Sequence, residues 1–272
     1  MRTYALICLF FLGGLALTKA DVVTDWDAAM LQAFANQGSA ATPPDNTRTL
    51  AMASVAMFDA VNSISRSYSS YSGYYSTNGP ASAEAAAAQA AHDVLVGIFA
   101  GNTSQINTFN SLLNTQLATI SDTTQRNNGI SLGQSVASSI LGSRSSDGST
   151  AASTYSTQPS GTPGAWQIPP GIGAWGSGSG QFVKSEWGFV QPFTMGSVDK
   201  FRPAAPPDLH GEAYFNAVAQ VKSLGSATNS TRTADQTQIA LFWVDGPGTA
   251  SPPGHWNQIA ADISSSKGLS LQ

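Results

Sequence analysis

The chain is poor in cysteine, histidine and charge, and almost empty of long apolar runs. Its one cysteine is Cys8. Beyond residue 20 there is no thiol to close a disulfide, bind zinc or act as a nucleophile. Stability must then come from the size of the core. The 3 histidines, His92, His210 and His255, include no pair four residues apart and no His-Glu-x-x-His. That argues against a zinc or non-haem iron centre. Charged residues make up only 10% of the chain. Without residues 1–20, which hold Arg2 and Lys19, 10 basic side chains face 16 acidic ones, a net of −6. Such a balance does not suit a nucleic-acid partner, whose phosphates call for a basic face.

The longest apolar stretch, Ala5–Leu17, spans 13 residues. With Arg2 before it and the small residues Thr18 and Ala20 after it, residues 1–20 read as a secretory signal peptide, too short for a membrane span. No later stretch reaches 18 continuous apolar residues, so residues 21–272 are expected to be secreted or periplasmic, without a membrane anchor. No alternating strand pattern or fixed-period repeat is present.

Helical periodicity is plentiful. Trp26, Met30 and Phe34 share one face of a helix over Val23–Gln37, ended by Gly38. Leu50, Met57, Val61 and Ile64 mark a helix over Thr47–Ser65. Met52, Val55 and Phe58 widen its stripe, so most of its sides are expected to be buried. An alanine-rich helix is expected over Ser82–Ala100, with Val94, Leu95 and Ile98 inside and Gly101 as stop. Ser104–Ile120 aligns Ile106, Phe109, Leu113, Leu117 and Ile120. Thr124–Leu141 aligns Leu132, Val136 and Ile140. Alanines between larger residues allow helices to approach closely. Further on, Asp208 is placed to cap Leu209–Leu224, whose Tyr214, Val218 and Val221 share a face. Thr233 and Gln236 form a capping-box pattern for a helix through Trp243. Ser251-Pro252 reads as N-cap and first helical residue, followed by a buried stripe of Trp256, Ile259, Ala260 and Ile263. Residues 143–208, rich in Gly, Ser and Pro, also hold Trp166, Trp175, Phe182, Trp187, Phe189 and Phe193. They read as a long loop that packs on the helices rather than as a linker. The expected class is all-α, a helical bundle with a long aromatic-rich irregular loop in the middle.

Few residues suggest chemistry. Gly176-Ser177-Gly178-Ser179-Gly180 echoes a nucleophile elbow, but no strand precedes it and no Gly-Lys-Ser/Thr marks a phosphate loop, so it reads as a loop. Asp59, inside "LAMASVAMFDAVNSI", needs a partner if buried, and a structural bond to a neighbouring helix or an arginine is expected. His92 reads as a polar residue satisfied by its neighbours, and His210 as an exposed residue of a first helical turn. Asn102-Thr103-Ser104 and Asn229-Ser230-Thr231 are glycosylation sequons.

Three segments, "RTLAMASVAMFDAVNSI", "PFTMGSVDKFRPAAPPDL" and "RTADQTQIALFWVDGPGTASPPGHWNQIA", resemble in order the N-terminal half of vanadium-dependent haloperoxidase-like proteins. These belong to the superfamily of acid phosphatases and type 2 phosphatidic acid phosphatases. The resemblance covers most of 21–263. It implies a helical-bundle fold and, in the complete protein, a vanadate cofactor on which peroxide oxidises halide. A phosphatase relative would hold phosphate in the same pocket. It also implies a signature of Lys-x6-Arg-Pro, Pro-Ser-Gly-His and Ser-Arg-x5-His, whose cations and hydrogen-bond donors neutralise the oxyanion.

This chain does not supply that signature. Arg202-Pro203 has Met195 where the lysine would stand, and Lys200 is too close. In Pro252-Pro253-Gly254-His255, Pro253 replaces the serine, which removes a hydroxyl and a backbone N–H. After Ser251 the only basic side chains are His255 and Lys267, so no Arg-x5-His follows. No catalytic, cofactor-binding or metal-binding residue is therefore assigned. The reading is the N-terminal portion of a haloperoxidase-like domain, inactive alone, with the pocket outside the chain. A phosphatase of the same superfamily and a non-catalytic secreted helical binding or structural protein stand as alternatives. In the first case some apolar helix faces should lack partners.

Overall fold

The computed structural model describes residues 21–38, 42–152, 162–165, 184–269 and Leu271. Residues 1–20, read above as a signal peptide, the Gly176–Gly180 stretch, Trp166, Trp175 and Phe182 lie outside the described residues. Eight α-helices and no strand occur among them: α1 (Val22–Gln37), α2 (Pro43–Ser65), α3 (Ala83–Ile98), α4 (Thr103–Ala118), α5 (Thr123–Ser143), α6 (Glu212–Gly225), α7 (Ala234–Phe242) and α8 (Ser251–Lys267). A short 3-10 turn covers Ser185–Phe189. The class is all-α, as the periodicity indicated. None of the described helices is long and apolar enough to cross a membrane.

Helix α3 is the centre of the bundle and touches α1, α2, α4 and α5. Ala85, Ala86, Ala87, Ala88, Ala90 and Ala91 are all buried. Their small side chains let neighbouring backbones come close on several sides. The closest approach is to α5, where Gly129 and Gly133, one turn apart, face α3. A Cβ on Gly129 would stand 2.5 Å from the Ser82 carbonyl oxygen, and one on Gly133 2.6 Å from that of Ala86. Large side chains close the gaps: Trp26, Met30 and Phe34 from α1, Phe109 from α4, and Leu132, Val136 and Ile140 from α5. Each such burial removes apolar surface from water and stabilises by about 1.5–3 kcal/mol. The Trp26 indole N–H donates to Gln116 Oε1 at 2.8 Å, and the Gln116 amide donates to Asp25. The one polar atom of this core tryptophan is thus satisfied.

Several local expectations need correction. Helix α2 begins at Pro43, not Thr47, because Pro43 and Pro44 fill the first two positions, where no N–H is needed. Thr42 accepts from the Asp45 N–H as its cap. The buried side of α2 runs through Met52, Ala53, Ala56, Asp59, Ala60 and Ser63, while Phe58 and Ile64 are exposed. Asp208 does not cap α6. Its carboxylate accepts from the His210 N–H, and the helix starts two residues later at Glu212. The capping box of α7 forms as read, with Thr233 and Gln236 exchanging hydrogen bonds.

The end of the chain departs furthest from its pattern. Ser251 is the first residue of α8, not its N-cap, and holds a left-handed backbone with φ 62°. The Asn46 amide donates to its hydroxyl at 3.0 Å, and the Thr249 hydroxyl accepts its N–H. These bonds hold a conformation that costs on the order of 1 kcal/mol in a residue other than glycine. The buried residues of α8 are Ser251 and Gly254, while Trp256 is 61% exposed and Ile263 is 52% exposed. Gly254 faces α1, where a Cβ would meet Leu31 Cδ2 at 3.0 Å. Helices α6 and α7 bury no residue at all. Phe215, Val218, Val221, Ile239, Leu241 and Phe242 all stand exposed on them.

Gly133→Ala tests the α3–α5 contact. The new methyl meets backbone, which cannot yield locally, so thermal or urea unfolding should show a loss of about 1–3 kcal/mol. Gly142→Ala, near the open end of the same helix where a Cβ meets nothing within 4 Å, should be neutral or gain up to about 1 kcal/mol.

Candidate functional site

The densest polar cluster joins α2, the end of α5 and the segment near Gln191. Asp147, four residues beyond α5, is its centre. Its Oδ2 accepts from Arg48 Nε and forms an ion pair with Arg144 Nη2, both at 2.8 Å, and its Oδ1 accepts from the Ser149 N–H. Arg48 also donates to the Arg144 carbonyl, and Arg144 to the Gln191 carbonyl at 2.6 Å. The Arg144 guanidinium lies 4.0 Å from the centre of the Phe193 ring. Beside this cluster, Lys184 Nζ pairs with Asp45 at 3.1 Å.

Burial works to raise the pKa of Asp147. The hydrogen bonds from Arg48 and Ser149, with the Arg48 charge, outweigh it and hold the carboxyl below its ordinary value. The stability this lends is present above the ordinary carboxylate pKa and is lost as pH falls through the lowered one. Chemically the cluster is a clamp. Both guanidiniums are taken up by one carboxylate and by carbonyls, and Lys184 by a second carboxylate. Arg48, Arg144 and Lys184 are thus each neutralised by a carboxylate. Arg144 Nε is buried and lacks a hydrogen-bond partner among the described residues, but the donors around it point to protein oxygens.

Asp59 is fully buried and structural, as expected, though its partners differ. They are neither a neighbouring helix nor an arginine, but the loop just after α2. The Tyr71 and Ser72 N–H groups and the Ser72 hydroxyl all donate to its carboxylate at 2.6–2.8 Å. His92 is satisfied by neighbours. Nδ1 meets Asp93 at 2.7 Å, Nε2 meets Asn110 at 2.8 Å, and the ring packs edge-on to Trp26. Burial acts to lower its pKa, but the hydrogen bonds to Asp93 and Asn110 and the Asp93 charge prevail and raise it. His210 is exposed but precedes α6.

His255 sits in the first turn of α8. Its Nδ1 lies 3.0 Å from Asp245 Oδ2, and its ring packs on Phe242 and Trp243 at centroid distances of 4.6 and 5.0 Å. Arg202 is exposed, and among the described residues no ion pair gathers Arg202, Lys200 and His255 at one centre. The Pro-Pro-Gly-His echo is thus a helix start in which a carboxylate and two rings hold the histidine. Asn102, from the first sequon, caps α4 through its side-chain oxygen, and Asn229, from the second, is exposed with φ 56°.

Between α1 and α8 lies a cleft of about 540 Å³, lined by Asp27, Asp245 and Asp262 among others. No lysine or arginine lines it, and its acids do not form a group of metal-ligand character among the described residues. Asp27 meets no hydrogen-bond donor there among the described residues, and burial raises its pKa to about 6. Sequence reasoning missed this residue and the clamp alike. Arg48 and Asp147 stand 99 positions apart, and only the three-residue spacing of Arg144 and Asp147 was visible. Comparison with protein-family models, with curated proteins and with solved structures finds no match to this chain.

The acidity of Asp27 gives a pH test. Its carboxyl binds a proton more tightly folded than unfolded, so folding loses stability as pH rises from the ordinary carboxylate value through about 6. Asp27→Asn should therefore raise the melting temperature at pH 7.5 and change it little at pH 4. The gain is on the order of 1–2 kcal/mol once solvent screening of a half-buried group is allowed for. His92 acts in the same direction, since its contribution is full below pH ~6.5 and fades as pH rises past its raised pKa. The wild-type chain should melt higher at pH 5.5 than at pH 8.

Proposed function

We propose that this chain is the N-terminal scaffold part of a secreted vanadium-dependent haloperoxidase-like enzyme. In the complete protein, peroxide oxidises halide on vanadate held by residues outside this chain. The observation that carries this reading is the bare apolar surface of α6–α8. Two of these helices bury nothing, and Phe242, Trp243, Val244, Trp256 and Ile263 stand open to water on the segment that carries the resemblance. A helix of 9 residues such as α7 is marginal in water unless an apolar face is covered. Exposed patches of this extent mark surfaces that meet other protein.

The chemistry of the cations agrees. Vanadate and phosphate need several unpaired positive groups around one point. Here Arg48, Arg144 and Lys184 are held by Asp147 and Asp45. Pro253, at the start of α8, offers no hydroxyl and no N–H. The clamp cations are thus not free to hold an oxyanion, and no catalytic step is assigned to the described residues. Their role in this reading is to build the bundle against which a pocket-bearing part packs.

The test is to read the coding sequence past Gln272 and to assay both the chain and any extended product. The frame should continue into Lys-x6-Arg-Pro and Arg-x5-His. The extended product should oxidise bromide with peroxide only when vanadate is supplied, and the chain alone should not. Bromide oxidation by the chain alone would overturn the reading. Hydrolysis of a phosphomonoester without bromide oxidation would move the family member to the phosphatases. A stop codon directly after Gln272 would leave a helical binding or structural protein.

A further inference from the structure

A second, larger groove lies where the C-terminal half of α2 meets the first turns of α1 and α3 and the tail after α8. Its volume is about 720 Å³, within the range of small-molecule sites. Met57 and the adjacent Phe58 of α2 line it, followed at intervals of about one helical turn by Val61 and Ile64. Leu269 and Leu271 of the tail complete the apolar lining. The Asn62 side chain is engaged: its amide donates to the Tyr68 carbonyl at 2.7 Å, and its oxygen accepts the Tyr68 N–H at 2.9 Å. Ser54, Ser65, Ser67 and Ser264 add neutral hydroxyls to the lining. The groove therefore offers apolar contact along its length beside a few uncharged polar groups.

Its charge is one-sided. Asp21 and Glu84 belong to the lining, and among the described residues no lysine, arginine or histidine does. Both acids stand at helix starts, Asp21 as the cap of α1 and Glu84 in the first turn of α3. Each helix N-terminus contributes only about half a positive charge, so two full carboxylates leave the site negative. Phe58 and Tyr68 add two partly exposed rings, 6.2 Å apart and tilted. Aromatic faces of this kind attract cations and not anions. Apolar lining, two carboxylates with no ion pair among the described residues and a ring pair all favour one ligand chemistry.

We propose that this groove binds an amphipathic cation, an ammonium head held near Asp21, Glu84 and the Phe58–Tyr68 pair with an apolar tail along Met57, Val61 and Leu269. The proposal does not depend on the haloperoxidase reading. It is tested on the full chain by calorimetric titration with octyltrimethylammonium, octyl sulfate and octanol, each below its micelle concentration. Octyltrimethylammonium should bind about tenfold more tightly than octyl sulfate, with octanol between them. Asp21→Asn combined with Glu84→Gln should abolish the preference while octanol binding persists, because asparagine still caps α1. Ile64→Lys, at a half-open position that tolerates a long side chain, should weaken the cation by about tenfold or more. Circular dichroism melting of each variant checks that the bundle is intact. Equal affinity for the two charged probes, an undiminished preference in the double variant, or no binding of any probe by the folded wild-type chain would overturn the proposal.

Discussion

The contact on which the rest depends is the meeting of α5 with the alanine face of α3. Gly129 and Gly133 bring the two backbones so close that a methyl group at either would overlap a carbonyl oxygen. Alanine on one side and glycine on the other give little apolar area per residue. What they give is proximity, and proximity sets where every larger side chain can go. Because α3 is thin, α1, α2 and α4 can also reach it, and Trp26, Phe34, Phe109 and Leu132 fill the space between helices rather than the contact itself. A bulkier α3 would push these neighbours apart and open voids that the same side chains could not fill.

The clamp at Asp147 follows from that arrangement. The end of α5 is fixed by its packing on α3, so Arg144 and Asp147 emerge beside Arg48 on α2. One carboxylate then ties two helices to the strand-free segment at Gln191 and Phe193. Removing Asp147 would leave two guanidiniums largely buried without a counter-ion, a loss on the order of 3 kcal/mol. The cluster holds the segment that leads toward α6–α8 without holding those helices themselves. Asn46 and Ser251 make a second, smaller tie between α2 and the start of α8. The molecule is thus tightly built through α5 and joined at a few points to a C-terminal group of helices whose apolar residues face water.

What the sequence made legible follows this division. Where large apolar residues recur every turn and fill gaps around a thin helix, as at Trp26, Met30 and Phe34 or at Leu132, Val136 and Ile140, periodicity located both the helix and its buried face. Size misled where helices meet through small residues. On α8 the stripe of Trp256, Ile259 and Ile263 suggested an inward face, yet contact with α1 and α2 runs through Gly254 and Ser251. The Pro43-Pro44 pair hid the start of α2, since proline stops a helix in its interior but opens one at its first turn. Asp59 stood out as a charge in an apolar stretch, but nothing local showed that its partners were the N–H groups of a loop 12 and 13 positions on. The clamp was out of reach, because its two helices are separated by most of the bundle. The departure from the oxyanion signature, in contrast, was plain from residue identities alone, at Met195 and Pro253.

The core is closed through α5 while the apolar residues of α6 and α7 face water, and the functional proposal rests on this contrast. Amide hydrogen exchange of the 272-residue chain, read helix by helix, tests it most directly. Amides of α3 and α5 should exchange only through global unfolding, while those of α6 and α7 should exchange orders of magnitude faster, near the rate of an unprotected helix. Equal protection of α6 and α7 with α3 would contradict the account. It would mean that the apolar faces of the C-terminal helices already have their partner within this chain.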